Sequence, residues 1–330
     1  MTVSNSTLAE PVWALPEALS RLRPEACGLL AALNERVWQE GDPVLLELVR
    51  VRVGQLIGKP AAVRGSAAAA GPVLAADLEA KVAALRDYPA SPLFSAAERD
   101  VVAFAEQFVI DVGGTTDDVR AELTGRFGAD GARALVTAIY VVEFTQRLQL
   151  ISARLLSAAG MPPTGSFTAV DASLAGLLDT YQAAVVRGST LDPVTTELVR
   201  LRCARTHQCR ICQTLRLADA RTAGVDEAMT AEIDRYERSD LPERAKVALR
   251  VTDAFITRPD LLSDSVAEQA RASFGPAELA SLSLDITKWS TQKIKVALGT
   301  DGADGLVTDA DGVALFGFDS GGQATGYRRR

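Results

Sequence analysis

The sequence predicts an all-α protein made of two tandem helical bundles related by pseudo-two-fold symmetry, with a short β-hairpin-like tail at the C-terminus. Three observations carry that prediction. Apolar residues recur at three- and four-residue spacing, between Asp-Pro or Ser starts and glycine stops, which is the pattern of amphipathic helices. The stretch D-P-V-L-L-E-L-V-R-V-R at 42–52 returns as D-P-V-T-T-E-L-V-R-L-R at 192–202, eight of eleven residues identical at an offset of 150. The correspondence then continues with small drifts: Phe127-Gly128 with Phe274-Gly275, and Thr145-Gln146-Arg147 with Thr291-Gln292-Lys293. Self-similarity at one fixed spacing marks a duplicated unit.

Taken along the chain, Cys27 beside Leu29 and Leu30 reads as a small buried hydrophobe. Asp42-Pro43 opens a helix that carries Glu47, and Ser95 to Arg99 opens another, matched in the second half by Leu241 to Arg244. The valine-rich run 136–142 has strand propensity. Its repeat partner at 282–296 spaces Asp285, Lys288 and Lys293 as a helix does, so both are predicted helical. Proline and glycine between Ala158 and Gly165 place the seam there. This gives a first unit over 1–160, a second over 161–300 and a tail over 301–330, each unit large enough for its own core. Asp192-Pro193 starts the repeated helix, Gly224 ends the next, and Trp289 and Lys295 are expected at an interface. In the tail, Asp-Gly steps predict a hairpin turning at Asp309 to Gly312, and Arg328 to Arg330 a frayed end.

With 48% hydrophobic residues and a formal charge of −7, the chain is an ordinary folding sequence without a basic face for nucleic acid. Apolar runs are short and interrupted by charge, so no membrane span is expected, and Glu10, Glu17, Arg21 and Arg23 argue against a secretory signal. The expected location is the cytoplasm, where paired cysteines serve catalysis or metal binding more often than permanent cross-linking. Helical units of this kind leave an apolar face, which predicts a homo-oligomer.

Only the second copy of the repeat carries thiols, in a chain with four cysteines and one histidine. Residues 197–212 read E-L-V-R-L-R-C-A-R-T-H-Q-C-R-I-C, so Glu197 is followed after eleven residues by Cys209 and, two residues later, by Cys212. On two consecutive helices of an all-helical unit, this spacing resembles the AhpD-like alkylhydroperoxidases of the carboxymuconolactone decarboxylase superfamily, and each half resembles one such unit. The resemblance implies helical bundles that assemble into oligomers and a redox pair in which Cys212 meets the peroxide while Cys209 resolves and faces the donor. It also implies a proton relay through Glu197, a peroxide or disulfide as substrate, and a thiol protein or small thiol as electron donor. No cofactor is expected.

The residues support thiol chemistry on their own terms. On one continuous helix Glu197 and Cys209 would stand about 18 Å apart, so they cooperate only if the chain turns back at Thr206-His207-Gln208. Cysteines opening the next helix would meet unpaired N–H groups that favour thiolate. Their three-residue spacing puts them on one face, where a sulfenic acid on one can close to a disulfide with the other. Arg210 and Arg216 add positive charge.

The family pattern places a histidine four residues after the second cysteine, where this chain has Arg216, a side chain that cannot move protons. His207 is the imidazole left to replace it, and restoring histidine at 216 is expected to raise peroxidase activity. Glu197, duplicated as Glu47, can equally be a structural partner of Arg200. Two other readings stay open: a non-redox family member acting on or binding small organic acids or lactones, and a zinc site from Cys203, His207, Cys209 and Cys212.

Overall fold

The structure is a computed structural model and describes residues 13–59, 72–156 and 173–328; the expected seam at 158–165 lies outside them. The described chain is predominantly helical, with one small three-stranded sheet, as the apolar spacing predicts. The first half contains α1 (Glu17–Leu22), α2 (Pro24–Glu40), α3 (Pro43–Leu56), α4 (Pro72–Ala83), α5 (Ala96–Asp111) and α6 (Asp117–Leu155). The second contains α7 (Leu174–Arg187), α8 (Pro193–Thr206), α9 (Arg210–Thr214), α10 (Ala218–Thr222), α11 (Glu227–Ala231), α12 (Glu243–Ile256), α13 (Asp264–Ser273), α14 (Pro276–Trp289) and α15 (Gln292–Ala297).

The repeat is structural. Helices α3 and α8 begin and end 150 residues apart, each with Pro at its first position and an aspartate cap: Asp42 accepts from Val44 and Leu45 N–H, and Asp192 from Thr195 N–H. Such a cap contributes about 1 kcal/mol. Beneath each helix lies a matching small apolar cluster, Leu48, Val51, Tyr88 and Val102 in one half and Leu198, Leu201, Tyr236 and Leu249 in the other. The tyrosine hydroxyl in each donates to a carboxylate that also holds an arginine: Tyr88 and Arg52 meet Glu106, and Tyr236 and Arg202 meet Asp253. The main core takes buried side chains from both halves, including Leu29, Phe108, Phe144, Val199, Phe255 and Leu284.

Valine-rich 136–142 is helical, inside α6, which bends at Gly128 where φ is 72°. That bend corresponds to the break between α13 and α14 at Gly275. Contrary to the expectation from short apolar runs, α6 is long and apolar enough to cross a bilayer, yet 78% of its apolar window is buried within the protein. This burial is what a core helix shows.

Two local expectations are corrected. The helix expected from Cys209 to Gly224 is interrupted by strand β1 (Leu215–Leu217) between α9 and α10. The tail supplies its partner, β2 (Ala314–Phe318), which runs parallel to β1 with Arg216 opposite Leu315, and β3 (Ala324–Thr325) completes a hairpin with β2. The hairpin therefore turns at Asp319 to Gln323, where Asp319 N–H donates to Gln323 O and Gly322 N–H to Asp319 O. Asp309 to Gly312 forms a separate tight turn ahead of it, closed by Asp309 N–H donating to Val313 O.

Candidate thiol site and its cleft

Helix α8 stops at His207, and the chain reverses through Gln208, the one non-glycine among the described residues with positive φ, at 56°. Cys209 N–H then donates to Ala204 O, 2.9 Å away, sealing the turn. The first half uses Gly58, φ 76°, at the equivalent place, with Lys59 N–H donating to Gly54 O. A left-handed residue costs about 1–2 kcal/mol when it is not glycine. That cost is accepted at the turn which presents the cysteines.

Cys209 caps α9 and is bonded to Cys212 as a disulfide. Both sulfurs belong to buried residues, Cys209 at 0% and Cys212 at 4% exposure, and it is Cys212 that borders a cleft of about 320 Å³. Asp301, just beyond α15, holds the start of this helix: its carboxylate accepts Arg210 N–H and the Arg210 guanidinium, each at 2.9 Å, and its carbonyl accepts Ile211 N–H. Burial pushes the Asp301 carboxyl up, but Arg210 outweighs that and holds it below the usual range. An N–H group expected to favour thiolate is thus already taken by a carboxylate.

Glu197 and Arg200 are both buried and paired through two bonds of 2.7 Å. The rest of the guanidinium donates to Cys212 O, at 2.8 Å, and to Leu215 O. Cys212 O is the carbonyl that Arg216 N–H would use if α9 continued, so Arg200 helps to end the helix and frees the chain to become β1. Arg200 also lies over the Phe316 ring, 5.4 Å from its centroid. Glu47 and Arg50 form the same two-bond pair in the first half, at 2.7 and 2.6 Å.

The other expected site residues are dispersed. His207 is buried with Nε2 3.1 Å from Ser290 Oγ, and it borders a different pocket with Lys293, Phe108 and Ile110. Burial, then the charges of Lys293 and Arg147, hold its proton affinity well below the usual histidine range. Glu197 is bonded to Arg200 and His207 to Ser290, and among the described residues no hydrogen bond joins His207 to Glu197. Arg216 pairs with Glu227 at 2.7 Å, donates to Gln213 O at 2.6 Å, and is not among the residues lining the cleft. Cys203 is fully buried, and burial pushes its thiol up to about 12. The four-residue zinc set is not assembled: the sulfurs of Cys209 and Cys212 are bonded to each other, His207 turns to Ser290, and among the described residues no three His, Cys, Asp or Glu side chains converge.

Residues outside the motif complete the cleft. Lys288 is buried in its wall with Nζ over Trp289, 3.1 Å from the ring centroid, and over Phe318 at 4.6 Å, and among the described residues no carboxylate forms an ion pair with it. Burial drives its proton affinity well below the ordinary lysine range; Asp285 opposes the shift, while Arg200 and Lys295 add to it. Trp289 Nε1 and Gln292 Oε1 are buried in the same wall without a protein partner. Trp289 and Lys295, expected at an interface, border this cleft. The sequence carries only a weak signal for Lys288, a cation next to Trp289 and one helical turn after Asp285. Asp301 had none, because it acts across 91 residues of chain.

A helical protein with a Cys-x-x-Cys disulfide opening on a small cleft is the class defined so far. The chain belongs to the carboxymuconolactone decarboxylase family, whose model matches residues 172–253, including Glu197 and both cysteines but not Lys288 or the tail. A protein of Mycobacterium tuberculosis, described only as uncharacterized in strains CDC 1551 / Oshkosh and ATCC 25618 / H37Rv, is 37% identical over 237 residues, covering 68% of this chain and 82% of the relative. No solved structure matches the chain.

Proposed function

We propose that the protein is an AhpD-like thiol–disulfide oxidoreductase, acting as a thiol peroxidase when the oxidant is a hydroperoxide. The observation that carries this reading is a bonded Cys209–Cys212 pair of which Cys212 alone borders a cleft. In the reduced protein the Cys212 thiolate attacks the terminal oxygen of a hydroperoxide, the O–O bond breaks, and the alkoxide leaves after protonation. The Cys212 sulfenic acid then condenses with the Cys209 thiol, releasing water and forming the disulfide. Two equivalents of a thiol donor restore the dithiol by exchange at Cys212, because Cys209 is buried. In this reading Glu197 is a positioning residue, fixing Arg200 and through it the Cys212 backbone. Assembly into a homo-oligomer belongs to the same proposal, and sedimentation as a clean monomer at micromolar concentration would count against it.

The test is consumption of tert-butyl hydroperoxide by catalytic amounts of protein with dithiothreitol as donor. Multiple turnovers that vanish in both Cys209→Ser and Cys212→Ser support the proposal. A wild type that is inert while its dithiol is verifiably reduced overturns it. That result would favour the second reading, a non-redox enzyme or binding protein for small organic acids or lactones, for which the basic groups Arg200, Lys288 and Lys295 around the cleft speak.

A further inference from the structure

We infer that Lys288 is the catalytic acid of this site, delivering the proton to the oxygen that leaves when Cys212 attacks a peroxide. The inference rests on the thiol reading above and supplies what that reading lacks. Peroxide cleavage produces an alkoxide, and no histidine borders the Cys212 cleft. Arg200 also borders it, but a guanidinium does not give up a proton at working pH, and most of its donors are already committed to Glu197, Cys212 O and Leu215 O.

Lys288 has the complementary properties. It lines the same cleft from α14, and among the described residues its Nζ has aromatic rings for neighbours and no paired carboxylate. A lysine locked in an ion pair would be a poor acid, since losing its proton would strand the partner's charge. The charged and titratable groups around Lys288 are Asp285 on its own helix, Arg200 on α8, Lys295 on α15, Asp179 on α7, and Tyr327 in the tail. Two of these are fixed or ordinary cations, and together with burial they leave the ammonium readier to release its proton than a solvent-exposed lysine. The partnerless Trp289 Nε1 and Gln292 Oε1 in the same wall are a second, independent sign of a wall built to meet polar groups of a ligand.

The step balances. Cys212–S⁻ and R–O–O–H give Cys212–S–O–H and R–O⁻; Lys288–NH₃⁺ passes a proton to R–O⁻, giving R–O–H and Lys288–NH₂. The neutral amine regains its proton from solvent through the open cleft before the next turnover. The repeat places Val142 in the first half where Lys288 stands in the second, so the lysine occurs in the half that has the Cys-x-x-Cys pair.

The experiment follows single-turnover oxidation of the reduced full-length protein by tert-butyl hydroperoxide between pH 5 and 10, in wild type, Lys288→Met and Lys288→Arg. Folding is checked by circular dichroism. Methionine matches the length of the lysine stem without the amine, and arginine keeps the charge without the proton transfer. Both variants are expected to be slower by about a hundredfold, the low end of what a positioned acid contributes. Both are also expected to lose the decline with rising pH that wild type shows as Lys288 deprotonates. A Lys288→Met protein with the wild-type rate and pH profile overturns the assignment while leaving the thiol reading intact. Rescue by Lys288→Arg also overturns it, since charge alone would then suffice. A wild type inert toward the peroxide overturns the thiol reading and this inference with it.

Discussion

Replacing Glu197 by glutamine separates scaffold from proton relay. The wild-type carboxylate is buried, and both of its oxygens receive Arg200 N–H groups at 2.7 Å. Glutamine keeps the shape and one acceptor oxygen but removes the countercharge and sets an amide N–H against the guanidinium, leaving a buried cation held by Cys212 O, Leu215 O and a single neutral oxygen. Breaking one side of a buried pair costs about 3–5 kcal/mol, a large part of the roughly 5–15 kcal/mol by which domains are stable. Glu47→Gln is the internal control, because Glu47 meets Arg50 with the same two bonds in the half without the Cys-x-x-Cys pair. Urea denaturation of the oxidised proteins should therefore show similar losses for both variants. Single-turnover oxidation of the reduced proteins should fall by less than tenfold in Glu197→Gln and not change in Glu47→Gln. A Glu197→Gln protein that loses under 1 kcal/mol yet oxidises a hundredfold more slowly would refute the scaffold argument and restore Glu197 to the relay.

Three further outcomes follow from single residues. Gln208→Gly should stabilise the protein by about 0.5–1 kcal/mol, the left-handed cost relieved less the chain entropy of glycine, and a lower melting temperature would contradict this. Asp285 is pushed by burial from its ordinary 3.8 to about 6, against the bond from Ser189 and the charges of Arg23 and Lys288. A raised carboxyl contributes stability below its unfolded value that is lost as pH rises through the folded one, here between about pH 4 and 6, on the order of 3 kcal/mol. Asp285→Asn should remove that part of the decline in a denaturation series over this range, and an unchanged profile would refute it. Arg216→His, expected from the motif to raise peroxidase activity, should instead give no gain, because position 216 sits in β1 facing Glu227 and outside the cleft; a tenfold rise would show that the imidazole reaches Cys212.

Helical class, the duplicated α3 and α8, and the Cys-x-x-Cys turn were legible because they rest on local signals: apolar spacing, aspartate caps and an eleven-residue repeat. The pairing of Glu197 with Arg200 was visible as an alternative, since the two lie one helical turn apart. Strand β1 was not legible. Its residues would extend α9, and what diverts them is Arg200 taking helix carbonyls and a tail strand arriving from a hundred residues away. The same distance hid Asp301 and Lys288, whose roles depend on which wall they reach. Local patterns carry no record of that.

Trapping a mixed disulfide with glutathione in the two single-cysteine variants tests the central claim most directly, since it asks which sulfur the cleft exposes. Reaction of reduced Cys209→Ser and Cys212→Ser proteins with oxidised glutathione, read by intact mass, should give a near-stoichiometric adduct on Cys212 in the first. Almost none should form on Cys209 in the second, because Cys209 is fully buried. An adduct on Cys209 with Cys212 unmodified would reverse the roles of the two sulfurs and contradict the account.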